Sequence, residues 1–139
     1  MSETPAPRQI GRSVLALLAG SVVAAGLAIA TDAALHATHV FPSLGERMSD
    51  ALFVLATAYR IVYSVAGSYV IARLAPNRPM QHALFGGLLG LTVSVIGAAA
   101  TWNRGPAFGP HWYPLALVVT ALPCAWLGGK FRLVQLRSK

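Results

Sequence analysis

The sequence predicts an all-α membrane protein, four transmembrane helices in an antiparallel up-down bundle with both termini in the cytoplasm. Three observations predict it. Of the 139 residues, 55% are hydrophobic and only 11% charged, where soluble domains carry about a quarter charged residues. The apolar residues fall into four runs near the ~20 residues a helix needs to cross the hydrocarbon core. The basic residues collect beside alternate ends of those runs. A chain this short has too little interior to hide so much apolar surface from water. Its length suits one domain over residues 1–139.

The first span is expected over about 13–41, after a short polar tail, 1–12. Val14 to Thr31 carries no charge, and the helix is expected to run on past Asp32 to Phe41, where Pro42 stops it. Arg8 and Arg12 ahead of this run, with Ala28-Ile29-Ala30 inside it, also suit a cleaved signal peptide. The apolar stretch is longer than an ordinary signal core, so a retained span is the expectation. The second span is expected over about 50–74, capped near Ser49 or Asp50 and interrupted only by Arg60. Pro76 and Pro79 bracket a tight turn. The third is expected over about 80–102 and the fourth over about 112–130, followed by a basic tail, 130–139, along the inner surface. Pro123 is expected to kink the fourth span, because it lacks the backbone donor.

Orientation follows from the Lys and Arg residues beside the spans. Arg8, Arg12, Arg73, Arg78, Lys130, Arg132, Arg137 and Lys139 fall on one side, and only Arg47 and Arg104 on the other. The formal net charge of +7 is therefore read as a topology signal, with an affinity of the C-terminal cluster for anionic lipid, and nucleic acid is excluded as a partner. Trp102, Trp112 and Tyr113 suit an aromatic belt at the outer interface, and His82 an interface position on the inner side. The alanine- and arginine-rich style suits a bacterial inner membrane.

In lipid, helices associate through close backbone approach rather than through the hydrophobic effect. Gly86, Gly90, Ser94 and Ala98 recur every fourth residue and form one packing face along the third span, widened by Gly87 and Gly97. Gly20, Ala24 and Ala28 do the same in the first span, and Ser64, Gly67 and Ser68 serve the second. The Gly86–Ala98 face suits either packing inside the bundle or self-association, and both predict that Gly90→Leu disrupts packing.

Arg60 is the most informative residue, because a charge inside a span normally faces the bundle interior, a partner or water. Asp32 is the only acid inside a span. An intramembrane Asp32–Arg60 ion pair is expected, at similar depth in both helices and with Tyr59 or Tyr63 beside it. Asp32, His36 and His39 share a face if the helix continues to Phe41. With His111 from the other outer loop, and Glu46 or Asp50, they suit a divalent metal or a proton-sensing cluster. The loop 102–111, with two Gly-Pro pairs, is read as a rigid outer cap. The single cysteine, Cys124, excludes an internal disulfide and any paired-cysteine centre, and is expected in the core.

The sequence holds no P-loop, no G-x-S-x-G elbow and no H-E-x-x-H. The first functional expectation is therefore a non-enzymatic membrane protein with no cofactor, self-associating or serving as a subunit of a larger membrane complex. The second is a small transporter or channel using Asp32 and Arg60. The third is an outer-face enzyme or sensor holding metal at Asp32, His36, His39 and His111.

Overall fold

A computed structural model of the chain describes residues 7–139, with side chains from Gln9 onward. The tail before Pro7 and the side chain of Arg8 lie outside the described residues. The protein is all-helical, with α1 at Pro7–Ala37, α2 at Asp50–Leu74, α3 at Pro79–Thr101 and α4 at Trp112–Arg137. All four helices are long and apolar enough to cross a membrane. The shortest, α3, has 23 residues, which at 1.5 Å per residue is about 34 Å and exceeds the hydrocarbon thickness.

Side-chain size is sorted in the manner of a protein dissolved in lipid. Small residues such as Ala16, Ala56, Ala72, Ala83 and Ala125 hold the interior, while Val22, Val93 and Val119 stand 68%, 69% and 71% exposed. Lipid tails solvate large aliphatic side chains as well as a core would, so the interior is left to residues that let backbones approach. Cys124 is among the buried positions, as expected.

The α2 helix is central and packs against each of the other three, α3 and α4 pack on each other along their lengths, and α1 meets α3 only lightly. Glycines set these contacts. A Cβ on Gly67 would lie 2.6 Å from the Gly20 carbonyl oxygen and 2.8 Å from the Ala24 Cβ. One on Gly128 would lie 2.6 Å from the Val65 carbonyl and from the Tyr69 nitrogen, so α4 touches the α2 backbone there. Gly87 abuts Ala125, and Gly129 abuts Met80 and Ala83.

Three expected boundaries differ. The first helix begins at Pro7 rather than near residue 13, because proline suits the first turn of a helix and the polar residues after it do not break one. The first helix ends at Ala37 rather than near Phe41, because His39 takes a left-handed conformation (φ 58°) of the kind that terminates helices. The chain then turns back, with the Phe41 N–H donating to the Leu35 carbonyl at 3.0 Å and the Phe41 ring 4% exposed. Pro42 also disfavours helical backbone at Phe41. At the other end of the chain, the basic segment after Gly129 is not a separate tail, since α4 continues unbroken through Pro123 to Arg137. Nothing from Lys130 to Arg137 breaks a helix, and basic residues suit a helix C-terminus.

The other boundaries agree. Ser49 occupies the N-cap of α2 with extended backbone but no side-chain capping bond, and Pro79 opens α3, where its missing N–H costs nothing. The 102–111 loop contains a short 3-10 turn, Pro106–Phe108. Gly105 and Gly109 flank it at φ 94° and 92°, values that favour glycine. A Cβ on Gly109 would also meet the Phe53 ring, which packs 4.9 Å from the Tyr113 ring. The loop thus rests on the ends of α2 and α4.

Candidate functional site: an ion pair beside a small-residue cavity

Asp32 and Arg60 form the ion pair expected from the sequence, with Arg60 Nη2 2.5 Å from Asp32 Oδ2. The Tyr59 hydroxyl donates to Asp32 Oδ1, so each carboxylate oxygen has a donor from α2. The Tyr63 hydroxyl meets Thr31 Oγ1 at 2.8 Å, and Thr31 in turn donates to the Leu27 carbonyl at 2.8 Å. Tyr59 and Tyr63 lie with ring centroids 5.8 Å apart. Both tyrosines proposed as neighbours are therefore present, while Thr31 was missed. Its signal was its place directly before Asp32.

The two residues stand at different distances along their helices. Measured from the contact between Gly20 and Gly67, Asp32 lies about 18 Å along α1 and Arg60 only about 10 Å along α2. Side chains on a helix lean toward its N-terminus. Arg60 therefore leans toward the Asp32 end while Asp32 leans back toward Arg60, and the long arginine covers the remaining offset. The two side chains are 31% and 30% exposed. Among the described residues this is the only salt bridge. Arg60 Nε is buried and has no hydrogen-bond partner, so the guanidinium is anchored by one edge only.

Beneath the pair, the sparse contact between α1 and α3 leaves a cavity of about 320 Å³. Arg60 lines one end, and Ile71 and Gly86 the other. Its walls are mostly apolar, with Ile61, Leu89, Val93 and Leu117 beside the small residues, and carry the hydroxyls of Ser21, Ser64, Ser68, Ser94 and Thr120. Ser21, Leu89, Gly90 and Val93 are exposed, so the cavity is half open. The Gly86–Ala98 face is thereby divided. Gly86, at one end of the cavity, abuts Ile71 and Ala98 is 9% exposed, whereas Gly90 and Ser94 line the cavity without packing on a neighbouring helix at Gly90. A Cβ on Gly90 would meet nothing within 4 Å, so the expected packing role of Gly90 is not found. Gly128 and Gly129, which the sequence reading passed over, carry that role on α4. Their adjacent placement was the available signal, since two neighbouring glycines suit contacts with two different helices.

The outer histidines do not converge. Among the described residues, no group of three or more His, Cys, Asp or Glu side chains is placed to hold a metal ion. His39 leaves the shared face because α1 has ended. His36 Nδ1 lies 2.9 Å from the Pro42 carbonyl, with its ring edge-on to Phe41. His111 stacks on Trp102 at 4.1 Å, and its Nε2 lies 3.0 Å from the Trp102 carbonyl. These histidines bond within the two loops at this end of the bundle, and Asp32 is taken by Tyr59 and Arg60. His82, at the opposite end of the bundle, bridges α3 to Ser13 of α1 at 2.9 Å.

Compared with known protein families, with curated proteins and with solved structures, the chain matches none.

Proposed function

We propose that this chain is a small membrane carrier, a single antiparallel up-down bundle with both termini cytoplasmic, which admits a small polar or amphipathic solute to the cavity beneath the Asp32–Arg60 pair. The observation that carries the reading is the cavity itself. A half-open cavity with five hydroxyl residues and a guanidinium among its apolar walls offers water both room and polar partners. At about 320 Å³ it sits at the small end of ligand pockets, which suits a solute rather than a protein segment. A charged residue at this depth lines polar pathways in many membrane proteins. The Asp32–Arg60–Tyr59 cluster ties α1 to α2 at the outer end of the cavity, where it acts as the gate.

The antiparallel arrangement is supported by contacts that run in opposite order along α1 and along α2 with the turn after it. Gln9 meets Asn77, Gly20 meets Gly67, and Asp32 meets Arg60. Basic residues beside the inner ends support cytoplasmic termini, and composition supports a bacterial inner membrane.

Single cysteines placed in a Cys124→Ala background test the reading. Ser64→Cys and Ser94→Cys are expected to react with a charged, membrane-impermeant thiol reagent in proteoliposomes. The lipid-facing controls Val22→Cys and Val119→Cys are expected to stay inert. Cavity positions as inert as the controls would mean a dry void and would end the carrier reading.

Self-association is the second reading. It is favoured by Gly90 and Gly97, where an added Cβ meets nothing within 4 Å and the backbone of another helix has room to approach. Light scattering in mild detergent distinguishes the two, because a strictly monomeric protein removes this reading and leaves the carrier intact.

A further inference from the structure

At the end of the molecule opposite the ion pair, four polar side chains form a chain across the α2–α4 contact. Arg73 Nη1 donates to the Tyr69 hydroxyl at 3.4 Å, Tyr69 donates to Gln135 Oε1 at 2.9 Å, and Arg132 Nη1 donates to the same oxygen at 2.7 Å. Two guanidiniums thus flank a neutral bridge. Neither has a carboxylate partner among the described residues, where the one salt bridge is Asp32–Arg60. The described acidic side chains, Asp32, Glu46 and Asp50, all lie toward the other end. Arg132 Nε is buried with no hydrogen-bond partner. Two cations held near each other without a counter-ion among the described residues, one with an unmet buried donor, form a site open to an anion.

Depth identifies the anion. Arg73 lies about 34 Å along α2 from Asp50, and Arg132 about 30 Å along α4 from Trp112. Both therefore stand just beyond a hydrocarbon core of about 30 Å, in the headgroup layer. The side chains beside them suit the same layer. Trp126 and Phe131 are 45% and 56% exposed, and Lys130 Nζ lies 4.6 Å from the Trp126 ring centroid, so apolar rings with a cation above them face the lipid. Arginine's planar fork matches phosphate oxygens in pairs.

We propose that Arg73 and Arg132 bind the phosphate of an anionic phospholipid, with the Tyr69–Gln135 bridge positioning the two guanidiniums. The site rests on the membrane assignment and is independent of the cavity.

Native mass spectrometry of the full chain in mild detergent, titrated with phosphatidylglycerol or phosphatidylcholine, tests it. Phosphatidylglycerol is expected to bind at least about tenfold more tightly. Arg73→Gln/Arg132→Gln is expected to weaken it by about a hundredfold, at roughly tenfold for each charge-assisted hydrogen bond lost. The control Arg12→Gln/Arg78→Gln removes the same charge on the same side and is expected to cost less than about threefold. Arg73→Lys/Arg132→Lys, which keeps the charge and spares the fold, is expected to lose several-fold because the planar fork is gone. Tyr69→Phe, which keeps both cations, is expected to lose several-fold as well. Equal losses in the two glutamine variants would reduce the effect to diffuse surface charge and overturn the site. Displacement of phosphatidylglycerol by millimolar inorganic phosphate would identify a soluble phosphate as the ligand and overturn the lipid assignment.

Discussion

Replacing Asp32 by asparagine keeps the size of the side chain and an acceptor for Tyr59, but leaves the Arg60 charge without a partner. The cost depends on how far water reaches the pair. Breaking a fully buried pair costs about 3–5 kcal/mol, while an exposed pair contributes about 0–1 kcal/mol. The pair is part-buried, with side-chain exposures of 31% and 30%, so a cost of about 2 kcal/mol, between those limits, is expected where water reaches it through the cavity. Insertion costs of about 2.5–3.5 kcal/mol for a lone central arginine are of the same order. Reversible unfolding in mixed micelles, titrated with sodium dodecyl sulfate, measures the change. Arg60→Gln alone is expected to cost less than Asp32→Asn, because an uncharged site at Arg60 leaves only a carboxylate that Tyr59 still solvates. The double variant is expected to recover about 1–2 kcal/mol relative to the sum of the two. Single changes below about 0.5 kcal/mol, or strict additivity in the double variant, would refute the intramembrane pair as an energetic unit.

Glycine substitutions separate packed from open positions. Gly67→Ala and Gly128→Ala each force a Cβ to 2.6 Å from a backbone oxygen of the facing helix, and each is expected to cost about 1–3 kcal/mol in the same unfolding assay. Gly90→Ala, with nothing within 4 Å, is expected to be neutral within about 0.5 kcal/mol. A Gly109→Ala change meets both a positive φ and the Phe53 ring, so it is expected to destabilise more than Gly45→Ala, whose φ is also 92° but whose surroundings are open. Elemental analysis of purified protein is expected to find no stoichiometric metal, and chelator is expected to leave the melting temperature unchanged. Metal lost in His36→Ala would reverse the reading of the outer histidines. Fluorescent-protein fusions after Lys139 are expected to fold in the cytoplasm, whereas a thiol at Arg104 is expected to label from the outside.

The four helices were legible because the signals that specify them are local. A run of about 20 apolar residues between polar ends is a membrane span whatever its neighbours do, and Pro42, Pro79 and Ser49 mark boundaries through their own backbone chemistry. The Asp32–Arg60 pair was legible for a related reason. A chain with one acid and one base inside its spans has few ways to neutralise them, and lipid makes neutralisation urgent. Tertiary structure decided what depends on approach between helices. Residue spacing along α3 marks a small-residue face, but only the sparse α1–α3 contact makes Gly90 and Ser94 line a cavity while Gly86 and Ala98 pack. The end of α1 at Ala37 was equally hidden, because the left-handed His39 just beyond it is stabilised by Phe41 folding back onto its own helix. That single turn removed His39 from the face of Asp32 and His36 and dispersed the outer cluster. Hydropathy and charge are properties of segments and survive without a partner. A cavity, a gate or a phosphate site belongs to the space between segments, and that space is set by which glycines happen to face which backbone.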